Sequence, residues 1–411
     1  MRAVILSIGD ELISGKTVDT NSAYLARQLG SMGIETLAHW TLGDDQAAIA
    51  AALTAAAAVG DVVIVSGGLG PTADDLTRQG LAEAMGTGLV LDEQRLAEIE
   101  DFFRRRGREM IAANRIQAMI PAGAQAIPNK VGTAPGIAAT VGGKSVYVMP
   151  GVPYEMEWMF SNAIAPLLPR QAGVILYRIV HTFGQGESDI GTAIADLMKR
   201  DRNPTVGTTV AGGLVSVRII SRGEDERQAR SLASETIAAV RLRLGKLVVG
   251  VEEQTMASVV GDLLRARGAS LSVAESCTGG MIGQLVTATP GASDYYLGGL
   301  VAYANQVKIR QLGVPEDLIG RHGAVSEPVA EAMANGCRAM FQSTYALSIT
   351  GIAGPAGGSE DKPVGLVYIG LAGPAGTVVF RHVLPGIRDI VRLRASLTAL
   401  NHLRLCLRDR A

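Results

Sequence analysis

The run Asp61-Val62-Val63-Ile64-Val65-Ser66, broken by Gly67-Gly68-Leu69-Gly70-Pro71, constrains the fold more than any other segment. Its four consecutive apolar residues offer no polar face, so a strand built from them is buried on both sides. The glycines turn the chain, and a helical stretch follows from about Asp75 to Met85. The same unit recurs at Ala3 to Ile8, at Ser145 to Met149 before Pro150-Gly151-Val152-Pro153, and at Leu271 to Ala274. Amphipathic stretches fall between the runs, at Thr20 to Gly33, Asp45 to Val59 and Asp92 to Arg106. Apolar strands alternating with helices predict an α/β, multidomain chain with mainly parallel sheets covered on both faces.

With 411 residues, the chain exceeds one ordinary core. Three units are expected, over residues 1–170, 171–250 and 251–411. The middle one reads as a compact α+β unit. It has a strand at Val174 to Phe183, a helix at Glu187 to Arg200, a hairpin around Gly212-Gly213 and a helix at Asp225 to Leu244. Linkers are expected near 168–172 and 248–254. The net charge is −1 with no basic block, so direct nucleic-acid binding is not expected. Three widely spaced cysteines form neither a disulfide framework nor a zinc pattern. The absence of a signal-peptide pattern or a long apolar run makes a cytoplasmic, non-membrane protein the expectation.

In the third unit, Ala274-Glu275-Ser276-Cys277-Thr278-Gly279-Gly280 joins a strand to a helix start. Backbone N–H groups at such a turn can hold an oxyanion, and a serine there can act as a nucleophile beside a base. No G-x-S-x-G elbow or suitably placed histidine is present. Tyr303 and Lys308, five residues apart after a glycine-rich strand, supply a base of another kind. A lysine of lowered pKa, or a tyrosine relaying its proton, activates serine. Thr350, at a strand end before the loop Gly351 to Lys362, completes the constellation. Plainer readings are that Ser276 and Thr278 cap a helix, that Tyr303 is a core ring and that Lys308 is a solvated helix residue. Cys277 reads as a small buried thiol.

In the first unit, Asp10, Asp74 and Asp75 follow strand ends and suit a divalent cation beside a phosphate. Gly67, Gly68 and Gly70 let backbone N–H groups approach anionic oxygens. Thr72 and Lys130 join them as candidate phosphate contacts. Asp74 and Asp75 equally suit a helix cap and first turn.

Taken together, these segments resemble the competence/damage-inducible protein A family. The first unit resembles the molybdopterin-binding fold through Gly9-Asp10-Glu11-Leu12, Asp19-Thr20-Asn21, Gly67 to Asp75, Asn129 to Gly136 and Met149 to Pro153. The middle unit resembles the family's KH-like insert, marked by Thr182-Phe183-Gly184 through Glu187-Ser188. The third resembles a nicotinamide mononucleotide deamidase domain through Glu275 to Gly280, Tyr303-Ala304-Asn305 with Lys308, His322 to Ser326 and Thr350 to Gly365. The resemblance implies hydrolysis of nicotinamide mononucleotide to the acid mononucleotide and ammonia, without a cofactor. Ser276 would attack, Lys308 and Tyr303 would manage its proton, and Thr350 would steady the oxyanion. Thr278, Gly279, Gly280, Asn305, Gly351, Gly354, Gly357, Gly358 and an arginine of the last helix, Arg392 or its neighbour Arg388, would hold substrate. Some members also carry an ADP-ribose pyrophosphatase in the first domain, dependent on a divalent metal (Mg, Mn, Co or Ni). A non-enzymatic nucleotide or pterin binder is the third reading. Small nucleotide substrates and a homodimer are the expected partners. The family more often has serine where this chain has Ala304, which removes one hydrogen bond.

Overall fold

The computed structural model describes residues 1–169 and 173–408. The chain divides into two compact units: Met1–Tyr177 with Ile220–Ala233, and Arg178–Ile219 with Ser234–Ala411. This division differs from the expected three-way cut, because pieces of the middle segment go to each unit.

The first unit holds a six-stranded sheet of β1 (Arg2–Ile8), β2 (Glu35–Leu42), β3 (Val62–Ser66), β4 (Gln125–Ile127), β5 (Gly136–Val141) and β6 (Lys144–Met149). The order is β2-β1-β3-β6-β5-β4, parallel from β2 to β6 and antiparallel beyond. Successive strand residues point to opposite faces. Val4, Leu6, Val63 and Val65 therefore join one core, and Ala3, Ile5, Val62 and Ile64 another. Helices α1 (Thr20–Ser31), α2 (Gln46–Val59), α3 (Thr77–Ala84), α4 (Glu93–Arg105) and α5 (Pro153–Met159) accompany them. Asp19, Asp45 and Asp92 cap α1, α2 and α4 by accepting backbone N–H groups. Leu25 of α1 and Leu53 of α2 are fully buried, each stabilising by about 1.5–3 kcal/mol.

The middle segment forms a four-stranded sheet of β7 (Val174–Thr182), β8 (Thr205–Ala211), β9 (Leu214–Gly223) and β10 (Val248–Val251), in the order β8-β9-β7-β10. Its helices are α6 (Glu187–Ala193) and α7 (Glu226–Leu244). Two expectations change here. The helix expected over Glu187 to Arg200 stops at Ala193. The linker expected near 248–254 begins as β10, which pairs antiparallel with β7. Val248 and Val249 are apolar enough to be buried, and this outweighs the polar residues after them. The other linker, near 168–172, lies mostly outside the described residues.

The last sheet has β11 (Leu271–Glu275), β12 (Tyr296–Val301), β13 (Tyr345–Gly351), β14 (Leu366–Gly373) and β15 (Gly376–Val383), in the order β12-β11-β13-β14-β15. The first three strands are parallel, and β14 and β15 antiparallel. Around it lie α8 (Met256–Arg265), α9 (Met281–Thr287), α10 (Asn305–Leu312), α11 (Glu316–His322), α12 (Glu327–Phe341) and α13 (Arg388–Arg408). Val273 and Ala274 face two different cores, so the sheet is covered on both sides. Gly336 of α12 is a close-approach position, since a Cβ there would stand 1.8 Å from the Leu312 carbonyl oxygen. Helix α12 thereby presses on the end of α10 and helps to set its height over the sheet. Among the described residues, no helix is long and apolar enough to cross a membrane.

Candidate active site

Strand β11 ends at Glu275, and Ser276 follows with its N–H donating to the Ile349 carbonyl at 2.9 Å. The turn closes through Gly279 and Gly280, whose φ angles of 61° and 95° lie in the left-handed region that favours glycine. The opening of α9 then departs from expectation. Its N–H groups do not await an oxyanion. The buried Glu275 carboxylate accepts those of Gly280 (3.0 Å), Ile282 (3.1 Å) and Gly283 (3.0 Å). Glu275 thus plays the part of an anion at a helix N-terminus and makes the turn rigid.

The turn holds Ser276 against Lys308. Lys308, on the first turn of α10, is only 1% exposed, which sets aside its reading as a solvated residue. Its Nζ donates to Ser276 Oγ at 3.1 Å, the Ala302 carbonyl at 2.8 Å and the Tyr303 carbonyl at 2.9 Å. Burial strips water from the ammonium and lowers its pKa below the ordinary lysine value. The neutral amine, which can accept a proton from Ser276, is correspondingly favoured. Burial acts on Cys277 in the opposite sense and pushes its thiol up to about 12. The thiol therefore stays protonated and unreactive, leaving Ser276 as the candidate nucleophile.

Ser276, Cys277, Tyr303, Asn305, Lys308, Thr350, Gly351, Gly354, Gly357 and Arg388 share one cleft of about 280 Å³. Within it, two expected roles change. Tyr303 is 61% exposed, and its hydroxyl meets Arg388 Nη2 at 3.3 Å; it is the Tyr303 carbonyl that touches Lys308. Thr350 is buried and donates its hydroxyl proton to the Ala324 carbonyl at 2.8 Å, so it is not a free oxyanion donor.

Other expected contacts lie outside the cleft. Arg392 turns onto the Thr278 carbonyl (Nη2, 2.8 Å), while Arg388 lines the cleft and donates to the Gly354 carbonyl at 2.8 Å. Thr278 is fully buried with its hydroxyl unpartnered, so it faces the protein rather than the cleft. Gly279 and Gly280 shape the turn without lining the cleft. Gly358 packs against Val364. Among the described residues, no backbone carbonyl takes the N–H groups of Cys277, Gly354 or Gly357.

The first unit has its own cleft, of about 470 Å³, lined by Gly67, Gly68, Gly70, Thr72, Asp74 and Asp75 together with Glu11, Asp44, Gln117 and Glu155. The expected trio of Asp10, Asp74 and Asp75 does not converge. Asp75 accepts the N–H groups of Gly70 (2.7 Å) and Thr72 (2.9 Å) and the Thr72 hydroxyl. Asp10 accepts the Asp44 N–H at 3.1 Å and does not line the cleft. Lys130 is exposed away from it. Asp44 was missed in the sequence. Burial raises its pKa, and the neighbouring charges of Asp10, Glu11 and Asp74 raise it further. Arg78 was also missed. It is buried under the glycine turn and donates to the Leu69 and Gly70 carbonyls, with Nη1 unpartnered. Among the described residues, no group of three or more His, Cys, Asp or Glu is placed to hold a metal ion.

Comparison with known proteins assigns each of three successive segments of the chain to a family. Residues 4–170 match the family described as "Probable molybdopterin binding domain". Residues 177–250 match "Damage-inducible protein CinA KH domain", and residues 253–407 match "CinA C-terminal domain". A "CinA-like protein" of Geobacter metallireducens is 44% identical over 409 residues, covering 98% of each chain. A "CinA-like protein" of Frankia casuarinae is 44% identical over 419 residues, covering 98% of this chain and 96% of its own. A solved structure titled as the protein CinA from Thermoplasma acidophilum is 37% identical over 41% of this chain and 98% of its own, with a TM-score of 0.38. With full-length identity of this degree across all three segments, the chain belongs to the CinA family.

Proposed function

We propose that the Ser276 cleft hydrolyses the carboxamide of nicotinamide mononucleotide to nicotinate mononucleotide and ammonia. The observation that carries this reading is the 3.1 Å contact from the buried Lys308 amine to Ser276 Oγ. In its neutral form Lys308 takes the serine proton as Oγ attacks the amide carbon. The carbonyl oxygen becomes an oxyanion, and the Cys277 N–H, the first amide after the nucleophile, is the nearest donor along the chain. Lys308 returns the proton to the amide nitrogen, which leaves as ammonia. Water then attacks the acyl-enzyme, gives a proton to Lys308 and releases the acid as Ser276 is reprotonated. Arg388 and the amides of Gly354 and Gly357 offer the positive groups a substrate phosphate needs. Ammonia release from nicotinamide mononucleotide, compared between wild type and Ser276→Ala, tests the reading. Activity lost only in the variant supports it, and equal activity in both removes Ser276 as nucleophile.

A second reading attaches to the first unit: a divalent-metal-dependent ADP-ribose pyrophosphatase. Its support is the crowding of Asp10, Glu11, Asp44 and Asp74, whose mutual repulsion a dication would relieve. The residues fit a hard cation held by one or two of these carboxylates together with substrate phosphates, rather than an all-protein cage. Asp44, with Glu11 or Asp74 beside it, would hold it, and it would neutralise charge on the pyrophosphate. Gly67, Gly68 and Gly70 line the same wall, where a Cβ would strike Ile8, Thr77 and Asp75. Production of AMP and ribose phosphate, abolished by chelator and by Asp44→Asn, checks it.

A further inference from the structure

The chain has five histidines, and two of them meet away from both clefts. His382 on β15 and His402 on α13 bring their Nε2 atoms to 2.9 Å. At that distance one ring donates and the other accepts, so at most one of the two can be an imidazolium. Burial lowers the proton affinity of both. It is the main cause of the fall of His402 to about 4, with the neighbouring His382 adding to it. Phe380 stacks on His402 at 3.6 Å between ring centroids and 6° between planes, which holds the ring's orientation. The pair opens on a cavity of about 400 Å³ that Phe183, Gln185, Arg394 and Asn401 also line.

We propose that His382 and His402 form a two-histidine site for a borderline divalent transition metal such as Zn²⁺ or Ni²⁺, with water in the cavity completing the coordination. Neutral imidazole is the ligating form of histidine. Two Zn–N bonds of about 2.0–2.1 Å at a tetrahedral angle place their nitrogens about 3.3 Å apart. To reach that spacing the nitrogens part by about 0.4 Å, and the rings, which now point at each other with centroids 5.2 Å apart, turn so that both lone pairs meet at the metal. The ring that now donates moves its proton from Nε2 to Nδ1 through water, so binding releases no net proton. Asn401 is not a ligand, because its Oδ1 accepts from Arg404 at 3.0 and 2.8 Å. Arg394 donates to the Pro385 carbonyl at 2.8 Å, and its charge favours an anion on the metal's open positions. Among the described residues no third histidine, cysteine or carboxylate joins the pair. The site is therefore open and weaker than a four-ligand structural zinc site.

The test titrates Zn²⁺ into the full chain by calorimetry, for wild type, His382→Ala, His402→Ala and Asp44→Asn. An equivalent that both wild type and Asp44→Asn bind, with affinity at least tenfold lower in each histidine variant, supports the site. Unchanged affinity in both histidine variants, or no binding by wild type, overturns it. Should a histidine variant fail to fold, imidazole C–H resonances of the wild-type chain decide. Substoichiometric Zn²⁺ should move two of the five histidine ring signals, and a titration that leaves that pair in place also overturns the proposal.

Discussion

The turn after β3 and the turn after β11 share two features, a carboxylate on backbone N–H groups and a buried cation, and differ in what that cation is. Each follows a buried parallel strand. In each, a carboxylate takes backbone N–H groups that an outside anion would otherwise use: Asp75 of the loop in the first, Glu275 at the strand end in the second. A buried cation then donates to nearby carbonyls: Arg78 to Leu69 and Gly70, Lys308 to Ala302 and Tyr303. Burial brings the Arg78 guanidinium down to about 10, which still leaves it charged at neutral pH, so it can only brace. A buried lysine can shed its proton, and Lys308 also touches a hydroxyl. A braced turn becomes a candidate catalytic centre where the buried cation can change its protonation state and touches a hydroxyl.

The strongest way to break this contrast is Ser276→Ala. Ammonia release should fall by at least about 1,000-fold, while any chelator-sensitive pyrophosphate cleavage is unchanged. A parallel loss of both activities in a folded variant would show that the two turns do not work separately.

Lys308→Met ranks next, with ammonia release expected to drop by about 10²–10⁴-fold. The wild-type rate should rise with pH through a value below the ordinary lysine pKa of 10.5, because the neutral amine is the base. The sign for stability is the same. Between the lowered folded pKa and the unfolded one, the unfolded chain binds more protons, so stability rises with pH in that window and Lys308→Met flattens the rise. A pH–rate profile and denaturation at two pH values test both.

Asp75→Ala probes the bracing turn. Two amides and a hydroxyl lose their acceptor, and denaturant unfolding of the first unit should show a loss of about 2 kcal/mol. Ammonia release should be untouched.

The smallest effect concerns α10, which begins at Asn305 after an N-cap, Ala304, that provides no side-chain cap. Ala304→Ser supplies the missing acceptor and should stabilise by about 1 kcal/mol. The midpoint of chemical unfolding measures it, and a midpoint that does not move would mean that the helix start is already held by the residues around Lys308.

Much of this organisation was legible beforehand. Runs such as Val62 to Val65 leave no alternative to a doubly covered strand, and aspartates at 19, 45 and 92 mark helix starts by local hydrogen bonding. Ser276 could be singled out because it follows a strand end of an α/β sheet, where ligands gather, and Lys308 because it comes a few residues after another. The partners of those residues were harder to read. Glu275 looks like one more charged turn residue until the turn folds its carboxylate onto three amides. Asp75 looks like a metal ligand until the loop claims it. Arg392 and Arg388 are four apart on one helix, and only packing decides which of them reaches the cleft.

Residue order alone determined the alternation of strand and helix, the placing of glycines where the backbone turns left-handed, and the choice of serine and lysine as candidate reactive groups. These follow from steric and hydrophobic rules acting over a few neighbours. Tertiary structure decided that Lys308 is buried, that Thr350 gives its proton to Ala324, and that His382 meets His402 across twenty residues. Burial and pairing of this kind depend on which distant chain segments exclude water together, and no short stretch of sequence encodes that.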